Sequence, residues 1–281
     1  MVYKSIKTHN KGYLYVGDKH YIYYELNGNP KGKSVVFIHG GPGGGCSNDD
    51  KRFFNPKVFN IITFDQRGSG RSKPFASIKD NTTFKLVEDI KKLLDFLCIK
   101  KVILFGGSWG STLSLVYAIK YPETVKAMVI RGIFLGTKEE DEYFVYNAKY
   151  TFPEAWEKMI SLVPMNKRNN VMEYYYDMMK SKNSKKYALA WATYEFSVSK
   201  LKYSKEKVNE ILKKIKYEAF SLIELHYLTH DCFLPKDYIL NNANRLRNIP
   251  ITIVQGRYDK VCPPSSAYKL HKKIPNSKLI F

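Results

Sequence analysis

A short glycine-rich segment between a predicted strand and a predicted helix constrains this chain more than any other feature. Residues 101–105 are an apolar strand candidate, residues 106–110 read Gly-Gly-Ser-Trp-Gly, and residues 113–121 are predicted to be helical. Glycines on either side of Ser108 permit a turn too sharp for larger side chains. The turn exposes the Ser108 hydroxyl at a helix N-terminus, where developing negative charge is stabilised. The pattern favours a nucleophilic serine over the alternative, a flexible turn with a surface serine.

Predicted strands and helices alternate on both sides of this turn, which is typical of a mostly parallel sheet covered by helices. The predicted strands cover residues 13–16, 20–26, 34–38, 60–65, 101–105, 125–130, 251–255 and 278–281, and a helical stripe covers 88–97. Residues 136–244 differ, because they are rich in Tyr, Trp and Lys and contain no obvious strand. The sequence therefore predicts an α/β core in two parts, 1–135 and 245–281. A helical cap, residues 136–244, is inserted after the sixth strand, with helices predicted over residues 139–150, 153–162, 170–180, 185–197, 205–215 and 220–228.

Length and composition limit the classes of protein that this chain can be. A chain of 281 residues allows one large α/β domain with an inserted subdomain. No apolar run approaches the ~18 residues of a membrane span, and residues 1–7 lack the apolar region of a secretory signal. The four cysteines show neither metal-ligand spacing nor a disulfide framework. We therefore expect a cytoplasmic protein that needs no membrane, metal or cofactor.

The net charge of +20 raises the question of a nucleic-acid partner. The excess is mostly lysine in short clusters, such as residues 182–186 and 213–216, and no nucleic-acid-binding motif accompanies them. A solvated lysine surface is favoured over the alternative, a dedicated polyanion site, so nucleic-acid binding is not expected. The charge would still concentrate acidic ligands near the protein by long-range attraction.

A second glycine-rich segment follows the third predicted strand. Residues 39–45 read His-Gly-Gly-Pro-Gly-Gly-Gly, so the segment offers backbone N–H groups and almost no side chains. We expect the N–H groups of Gly41 and Trp109 to form an oxyanion hole beside Ser108. A flexible turn or a phosphate-binding loop is the alternative, although the segment lacks a Gly-Lys-Ser/Thr ending. His39 is expected to support the loop rather than to act as a base.

Asp259 is the candidate acid that orients the catalytic base. It follows the predicted strand 251–255, in the chain order of nucleophile, acid and histidine that this strand–turn–helix arrangement uses. An Asx turn is the alternative interpretation. The single histidine after Asp259 is His271, which lies within a predicted helix. The sequence therefore predicts that the base histidine lies beyond Phe281, and that residues 1–281 alone are inactive.

Four motifs together resemble the proline iminopeptidases, serine peptidases of the α/β-hydrolase fold. They are the segments at residues 39–45, 65–72 (Asp-Gln-Arg-Gly-Ser-Gly-Arg-Ser), 106–112 (Gly-Gly-Ser-Trp-Gly-Ser-Thr) and 256–262 (Gly-Arg-Tyr-Asp-Lys-Val-Cys). The similarity extends from about residue 13 to the end. It implies Ser108 as the nucleophile, Asp259 as the acid, and release of N-terminal proline from peptides through an acyl-enzyme. Within the second motif, Asp65, Arg67 and Arg71 are expected to form one hydrogen-bonded cluster.

The resemblance continues into the predicted cap. Residues 191–195 (Trp-Ala-Thr-Tyr-Glu) and 224–228 (Glu-Leu-His-Tyr-Leu) are similar to two segments of the family. This similarity implies that Glu195 and Glu224 bind the free N-terminal amine of the substrate, a task that suits charge-assisted hydrogen bonds. Without the resemblance, both glutamates would be interpreted as ordinary carboxylates on helix surfaces.

Aromatic residues of the chain match positions that the family uses around the proline ring. The resemblance places Phe134 and Phe144 there. Two neighbouring positions depart from the family, because Tyr194 stands in place of a Trp and Leu228 in place of a Phe. Leu228 keeps an apolar wall but removes one aromatic face.

Two other classes of function remain open on the sequence. An esterase or amidase of the same fold would accept N-blocked substrates, whereas a cap that detects an amine should reject them. A non-catalytic binding protein on a hydrolase scaffold would not be labelled at Ser108 by a serine-directed organophosphonate. Epoxide hydrolases and dehalogenases are disfavoured, because they use Asp at the position of Ser108.

Overall fold

A twisted sheet of eight strands forms the centre of the computed structural model, which describes residues 2–4 and 6–281. The strand order is β1-β2-β4-β3-β5-β6-β7-β8. Strands β1 and β2 are antiparallel, β2 is antiparallel to β4, and the remaining pairs are parallel. Their bounds are β1 Thr8–Gly17, β2 His20–Gly28, β3 Lys33–Ile38, β4 Phe59–Asp65, β5 Val102–Ser108, β6 Val125–Ile133, β7 Ile251–Val254 and β8 Lys278–Ile280. The predicted strands and the mostly parallel α/β fold are confirmed.

Three helices pack against the sheet and bury its larger apolar face. They are α1 Thr83–Phe96, α2 Trp109–Lys120 and α10 Pro264–Lys273. Helix α1 turns a stripe of aliphatic residues inward, as its 3.6-residue periodicity predicts; the stripe comprises Leu86, Ile90, Leu93 and Leu94. On the opposite face a smaller cluster forms, in which the rings of Phe37 and Phe105 stack at 5.9 Å.

Helices fill the chain between β6 and β7. They are α3 Lys138–Tyr146, α4 Pro153–Ile160, α5 Val171–Met179, α6 Ser184–Val198, α7 Lys205–Lys214, α8 Tyr217–Leu228 and α9 Tyr238–Asn241. The predicted helix 139–150 ends earlier, and a short 3-10 helix covers Asn147–Tyr150. The chain is not helical at Phe152 (φ −131°, ψ 62°), because Pro153 begins α4 and disfavours helical geometry in the residue before it.

The end of the predicted cap lies against the core. Helix α9 and the short 3-10 helix Ala243–Leu246 contact α2 and α10, although the sequence did not indicate either element. The domain boundaries at residues 135 and 244 stay a prediction. Across residues 2–4 and 6–281, every helix is too short or too polar to cross a membrane.

Helix α8 positions the inserted helices over the carboxyl ends of the strands. A Cβ atom on Gly43, in the loop after β3, would lie 2.9 Å from the carbonyl oxygen of Ala219. The N-terminus of α8 also binds the loop after β4, because the Lys216 Nζ donates a hydrogen bond of 2.8 Å to the Gly70 carbonyl. Since the carboxyl edge of a parallel sheet is where α/β proteins bind ligands, α8 covers the edge that carries the candidate site.

Candidate active site

Ser108 occupies a strained turn between β5 and α2. Its backbone has φ 54° and ψ −128°, a combination that costs a non-glycine residue on the order of 1–3 kcal/mol. A Cβ atom on Gly106 would collide with the Gly110 carbonyl, and one on Gly110 would collide with the Ile38 carbonyl. The two flanking glycines are therefore required by close backbone approach, and the strain presents the serine side chain at the N-terminus of α2.

Hydroxyl groups on α2 form hydrogen bonds that connect this turn to the end of β6. The Ser111 Oγ donates to the Ser108 carbonyl at 2.7 Å and accepts from the Phe134 N–H at 3.2 Å. The Thr112 Oγ1 donates to the Phe134 carbonyl at 2.6 Å. Phe134, a predicted substrate-binding residue, is thus tied directly to the turn that carries the candidate nucleophile, and its side chain is buried.

The glycine loop after β3 packs against the same turn. A Cβ atom on Gly40 would lie 3.7 Å from the Ser108 Cβ. Gly41 follows with φ 109°, a conformation that favours glycine, and a Cβ there would lie 2.8 Å from the Gly43 nitrogen. The N–H of Trp109 begins α2 and so has no acceptor within that helix. Trp109 therefore follows Ser108 in the chain, and Gly41 follows the residue that contacts Ser108, while their roles as oxyanion donors stay a prediction.

His39 connects this loop to the end of β4. Its Nε2 accepts from the Gln66 N–H at 3.0 Å, and its Nδ1 lies 2.9 Å from the Gly40 carbonyl oxygen. Burial lowers the pKa of His39, which keeps the ring neutral. The Gln66 side chain donates to the His39 carbonyl and accepts from Trp109 Nε1, both at 2.9 Å. With both ring nitrogens occupied, His39 supports the loop and is not positioned as a base.

Asp259 lies in the turn after β7, where its carboxylate is well supplied with donors. Its Oδ1 accepts from the N–H groups of Val261 and Cys262 at 3.0 and 2.9 Å. Its Oδ2 accepts from the Gln255 side chain at 3.3 Å. The Asx-type turn is therefore present, and the role of Asp259 as the triad acid stays a prediction.

Gly132 separates this carboxylate from the serine. A Cβ atom on Gly132 would lie 3.7 Å from the Asp259 Oδ2 and 3.8 Å from the Ser108 nitrogen. The nucleophile and acid candidates, 151 positions apart in sequence by their numbers, therefore converge on one point at the carboxyl edge of the sheet. An imidazole that joins a serine to an aspartate occupies such a position in a catalytic triad.

None of the six histidines hydrogen-bonds to Ser108 or Asp259 in the part of the chain that the structure describes. Those with hydrogen bonds have other partners: His20 with Lys79, His39 with Gly40, Gly45 and Gln66, His226 with Tyr176 and Asn81, His230 with Thr229 and His226, and His271 with Ser277. His271 lies within α10, as predicted. A base histidine beyond Phe281 stays a prediction.

Glu195 and Glu224 meet in the interior of the inserted helices. Glu224 on α8 is buried, and its Oε2 accepts from the Trp191 Nε1 at 2.6 Å. Burial raises the pKa of Glu195 to about 7, and a hydrogen bond from Glu224 lowers it in part. Burial and the neighbouring charge of Glu195 raise the pKa of Glu224 well above its ordinary value. The pair therefore holds a shared proton, since two carboxylates in contact cannot both ionise without a cation.

One oxygen of this pair is left without a partner. The Glu195 Oε2 is buried and accepts no hydrogen bond from any residue that the structure describes. An unsatisfied buried carboxylate oxygen is costly, on the order of 1–3 kcal/mol or more. The arrangement is therefore suited to a ligand that brings both a positive charge and an N–H donor.

Phe144 forms an aromatic wall beside the carboxyl pair. Its ring lies edge-to-face with Trp191, with centroids 5.9 Å apart, and tilted against Tyr194 at 5.6 Å. The Tyr194 hydroxyl donates to the Phe144 carbonyl at 2.8 Å. Phe144 thus lies beside the same tryptophan that binds Glu224, and Leu228 at the end of α8 is buried as well.

Comparison with known proteins agrees with this geometry. Residues 33–281 match the family model described as the alpha/beta hydrolase fold. A probable proline iminopeptidase of Leptolyngbya boryana is 42% identical over 99% of this chain and 88% of its own. Proline iminopeptidases of Arabidopsis thaliana and Neisseria meningitidis serogroup B are also 42% identical over 99% of this chain, covering 75% and 90% of their own lengths. The chain belongs to the proline iminopeptidase family.

Solved structures place this family member among α/β-hydrolases by fold alone. A proline iminopeptidase-related protein of Thermus thermophilus superimposes with a TM-score of 0.63 at 19% identity, over 96% of this chain and 87% of that one. A hydrolase of Pseudomonas aeruginosa gives a TM-score of 0.67 at 15% identity, over 98% of this chain and 90% of that one.

Within residues 2–4 and 6–281, no group of three or more His, Cys, Asp or Glu side chains could hold a metal ion.

Cys262 is a site residue that the sequence analysis quoted in a motif without assigning it a role. Its Sγ lies 3.9 Å from the Ser108 Oγ. Burial first, then the negative charges of Asp259, Glu140 and Glu195, raise the pKa of the thiol well above its ordinary value. The thiol stays protonated and does not compete as a nucleophile. Its position three residues after the candidate acid was the signal that could have identified it.

Asp141 is a second residue that the sequence analysis missed. It lies on α3, one turn before Phe144, and is buried. Burial, followed by the charges of Glu140, Asp231 and Glu224, raises the pKa of Asp141 to about 8. The interior around Phe144 therefore contains a third carboxyl group, and its helical spacing from Phe144 was the available signal.

One predicted cluster divides into two. Arg71 binds Asp65 through Nε at 2.7 Å, as expected. Arg67 instead binds Asp89 on α1, through Nε at 2.6 Å and Nη2 at 2.8 Å, and Asp18 at 2.9 Å. The prediction that Arg67 joins Asp65 was wrong, because the Arg67 side chain leaves the loop toward α1.

Proposed function

We propose that this protein is a serine aminopeptidase that releases N-terminal proline from peptides. The observation that carries the proposal is the pair of Glu195 and Glu224: Glu224 is buried, Glu195 is half-buried, and the buried Glu195 Oε2 has no hydrogen-bond partner among the residues that the structure describes. Such a pair suits the charged amine of a peptide N-terminus, which supplies a cation and N–H donors together. Relatives that are 42% identical carry the name proline iminopeptidase, which supports the same substrate.

The chemistry follows from the residues at the carboxyl edge of the sheet. The Ser108 Oγ attacks the carbonyl carbon of the N-terminal proline while a histidine removes the hydroxyl proton. Negative charge on the former carbonyl oxygen accepts hydrogen bonds from the N–H groups of Gly41 and Trp109. Collapse of this intermediate breaks the peptide bond, and the histidine returns its proton to the leaving amine. Water then attacks the prolyl ester, and free proline departs.

Asp259 contributes to these reaction steps through the histidine. A carboxylate hydrogen-bonded to the imidazole selects the tautomer that accepts from serine and stabilises the imidazolium that forms. The proposal assigns the base to a histidine encoded after Phe281. Every step uses protein groups and water, so the mechanism calls on no metal and no cofactor.

The amine subsite restricts the reaction to the first residue of a peptide. When the terminal amine binds, its positive charge pairs with the single negative charge that Glu195 and Glu224 share. Phe134 and Phe144 then flank the ring of the proline, one from the end of β6 and one from α3. A blocked N-terminus brings no charge, so it would leave both buried carboxyls unpaired.

The proposed partners and location follow from the same features. Peptides with N-terminal proline are the substrates, and neither nucleic acid nor membrane takes part in the reaction. The four cysteines are all free in the structure, which fits a reducing cytoplasm.

The test is hydrolysis of a prolyl arylamide by the protein together with any residues encoded after Phe281. Ser108→Ala is expected to lower kcat by about 10³-fold or more. The N-acetylprolyl arylamide is expected to be a poor substrate. Equal rates on free and acetylated substrates would favour the esterase or amidase alternative. Failure of an organophosphonate to label Ser108 would favour the non-catalytic alternative.

The location of the base is tested by comparing two lengths of chain. The chain ending at Phe281 is expected to be inactive, and the extended chain active. Substitution of the extension's histidine by Ala should then abolish the activity. Full activity of residues 1–281 would overturn this assignment of the base.

A further inference from the structure

The positive charge of the chain is divided unequally between two parts of the sequence. Residues 136–244 carry 17 Lys and Arg against 15 Asp and Glu, whereas the rest of the chain carries 29 against 11. Lysine is as frequent in residues 136–244 as elsewhere. A general preference for lysine therefore does not explain why almost all of the net charge lies in the core.

Much of this charge lies where the parallel strands begin. Segments that lead into parallel strands meet at one edge of a sheet, so β3 to β8 bring their preceding residues together. We call the cations of these segments the basic edge: Lys31, Lys33, Lys57, Lys100, Lys101, Lys126, Arg245, Arg247, Lys272, Lys273 and Lys278. All eleven are exposed, and none makes a salt bridge with a residue that the structure describes. Glu123 is the one carboxylate among the segments 29–33, 55–58, 98–101, 121–126, 245–250 and 272–278.

A pocket of about 500 Å³ lies within the basic edge. Lys33, Lys101 and Lys126 line it, at or next to the starts of β3, β5 and β6. The side chains of Ser34 and Asn248 add neutral polar groups, and no carboxylate lines the pocket. Three ammonium groups around one cavity repel each other, so a multiply charged anion in the cavity would be attracted by all of them.

The residues that line this pocket favour some kinds of anion over others. Lysine ammonium groups bind phosphates as point charges, and a hydroxyl and an amide can complete the hydrogen bonds of phosphate oxygens. Single-stranded nucleic acid is bound by aromatic side chains on which its bases stack, and none lines this pocket. The chemistry therefore favours a chain of phosphates over a nucleic acid.

We propose that the pocket between Lys33, Lys101 and Lys126 is a binding site for a phosphate chain. Free polyphosphate and the polyphosphorylated headgroup of a lipid both present several phosphate groups close together, so the same ammonium groups would recognise either. Strand β5 begins next to Lys101, which lines the pocket, and ends at Ser108. Its seven residues span about 20 Å, so the pocket and Ser108 lie at opposite ends of the strand. Occupation of the pocket is therefore independent of the proposed peptidase reaction.

The test is titration calorimetry with inorganic tripolyphosphate at physiological ionic strength. The variant Lys33→Gln/Lys101→Gln/Lys126→Gln is expected to bind at least about tenfold more weakly, since several charged hydrogen bonds are lost. The control Lys182→Gln/Lys185→Gln/Lys207→Gln removes the same charge from exposed positions in α6, in α7 and before α6. It is expected to bind within about twofold of the unsubstituted protein. Thermal unfolding of all three proteins checks that each is folded.

Several outcomes would overturn the proposal. If both triple variants bind tripolyphosphate equally weakly, the overall charge of the protein is responsible for binding. If the unsubstituted protein does not bind tripolyphosphate, the pocket is not a phosphate site. Tight binding of single-stranded RNA with none of tripolyphosphate would identify a nucleic-acid surface instead. If tripolyphosphate binds, vesicles with and without a polyphosphorylated lipid distinguish the source. Displacement of tripolyphosphate by the lipid-containing vesicles alone would identify a lipid headgroup. No displacement by either kind of vesicle would identify a free phosphate chain.

Discussion

Glu195 on α6 and Glu224 on α8 lie close enough for each carboxyl to shift the pKa of the other. The pKa of Glu195 is raised to about 7 by burial. Below that pH the pair gains a second proton and becomes neutral, so it attracts a cation less strongly. At the scale of single residues, the charge state of this pair is what the proposed amine subsite depends on.

We therefore expect selectivity for a free amine to fall as the pH falls through 7. The measurement is kcat/KM for a prolyl arylamide divided by that for the cyclopentanecarbonyl arylamide, which lacks the amine. Titration of the catalytic histidine cancels in this ratio. Below pH 7 the ratio should drop by up to about tenfold per pH unit, since one proton displaces the amine.

Glu224→Gln provides the variant for this pH prediction. The amide can still accept the hydrogen bond from Trp191 but cannot ionise, so the ratio should be lowered by about 10- to 100-fold at pH 8. Glu218→Gln, on the same helix and partly exposed, is the control and should leave the ratio unchanged. A ratio that is independent of pH in the unsubstituted protein would contradict the assignment of the pair to the amine.

Asp141 gives a prediction for stability. Its folded pKa of about 8 lies above the ordinary 3.8, so the folded protein binds more protons than the unfolded chain between these values. Stability is therefore lost as the pH rises through this window. Asp141→Asn should remove the loss and raise the free energy of unfolding at pH 8 by about 2–5 kcal/mol, with little gain near pH 4.

Urea unfolding at pH 4 and pH 8 measures this difference. Glu142→Gln is the matched control, because Glu142 follows Asp141 on α3 but is exposed. It should change stability by less than about 0.5 kcal/mol at either pH. An equal gain from Asp141→Asn at both pH values would show that its charge is not the cause.

At the scale of elements, the contact between α8 and the glycine loop after β3 determines how the inserted helices cover Ser108. Gly43 is the point of closest approach, with Ala219 and Phe220 of α8 against it. Its φ is 99°, so a substitution there adds backbone strain as well as a collision. The same loop carries the proposed oxyanion donor, Gly41, and so a shift of α8 would be transmitted to the reaction.

We expect Gly43→Ala to lower kcat/KM as well as stability. Gly17 is the control, because its φ of 97° is nearly the same but its nearest neighbour is the end of a flexible lysine, 3.6 Å from a Cβ. Gly17→Ala should therefore cost about 1–3 kcal/mol of stability through strain alone, with normal kcat/KM. Equal kcat/KM for the two folded variants would contradict a role for the α8 contact.

At the scale of the whole molecule, a net charge of +20 belongs to a protein whose inserted helices bury carboxyl groups. The long-range field should attract peptides that are acidic beyond their N-terminal proline, while the pocket binds the terminal amine. We expect kcat/KM for Pro-Glu-Glu to exceed that for Pro-Lys-Lys by a few-fold at low salt. The advantage should shrink at high salt, because exposed charges are screened. Pro-Gln-Gln serves as the uncharged control, and a salt-independent ratio would contradict the prediction.

The sequence by itself determined the order of strands and helices and the position of the serine turn. These features depend on local causes: side-chain periodicity, the steric need for Gly106 and Gly110, and the restriction that Pro153 places on its neighbour. The resemblance to proline iminopeptidases extended this to Glu195 and Glu224 by residue type. It could not show that the two carboxyls touch.

Only the tertiary structure decided which distant residues meet. It brought Asp259 and the Cys262 thiol to Ser108, turned Arg67 toward Asp89 rather than Asp65, and buried Asp141 among other carboxyls. It also collected lysines and arginines from six separate segments at one edge of the sheet. The physical reason is that a pKa, an ion pair or a pocket depends on the neighbours that packing supplies, and those neighbours lie tens to hundreds of residues away along the chain.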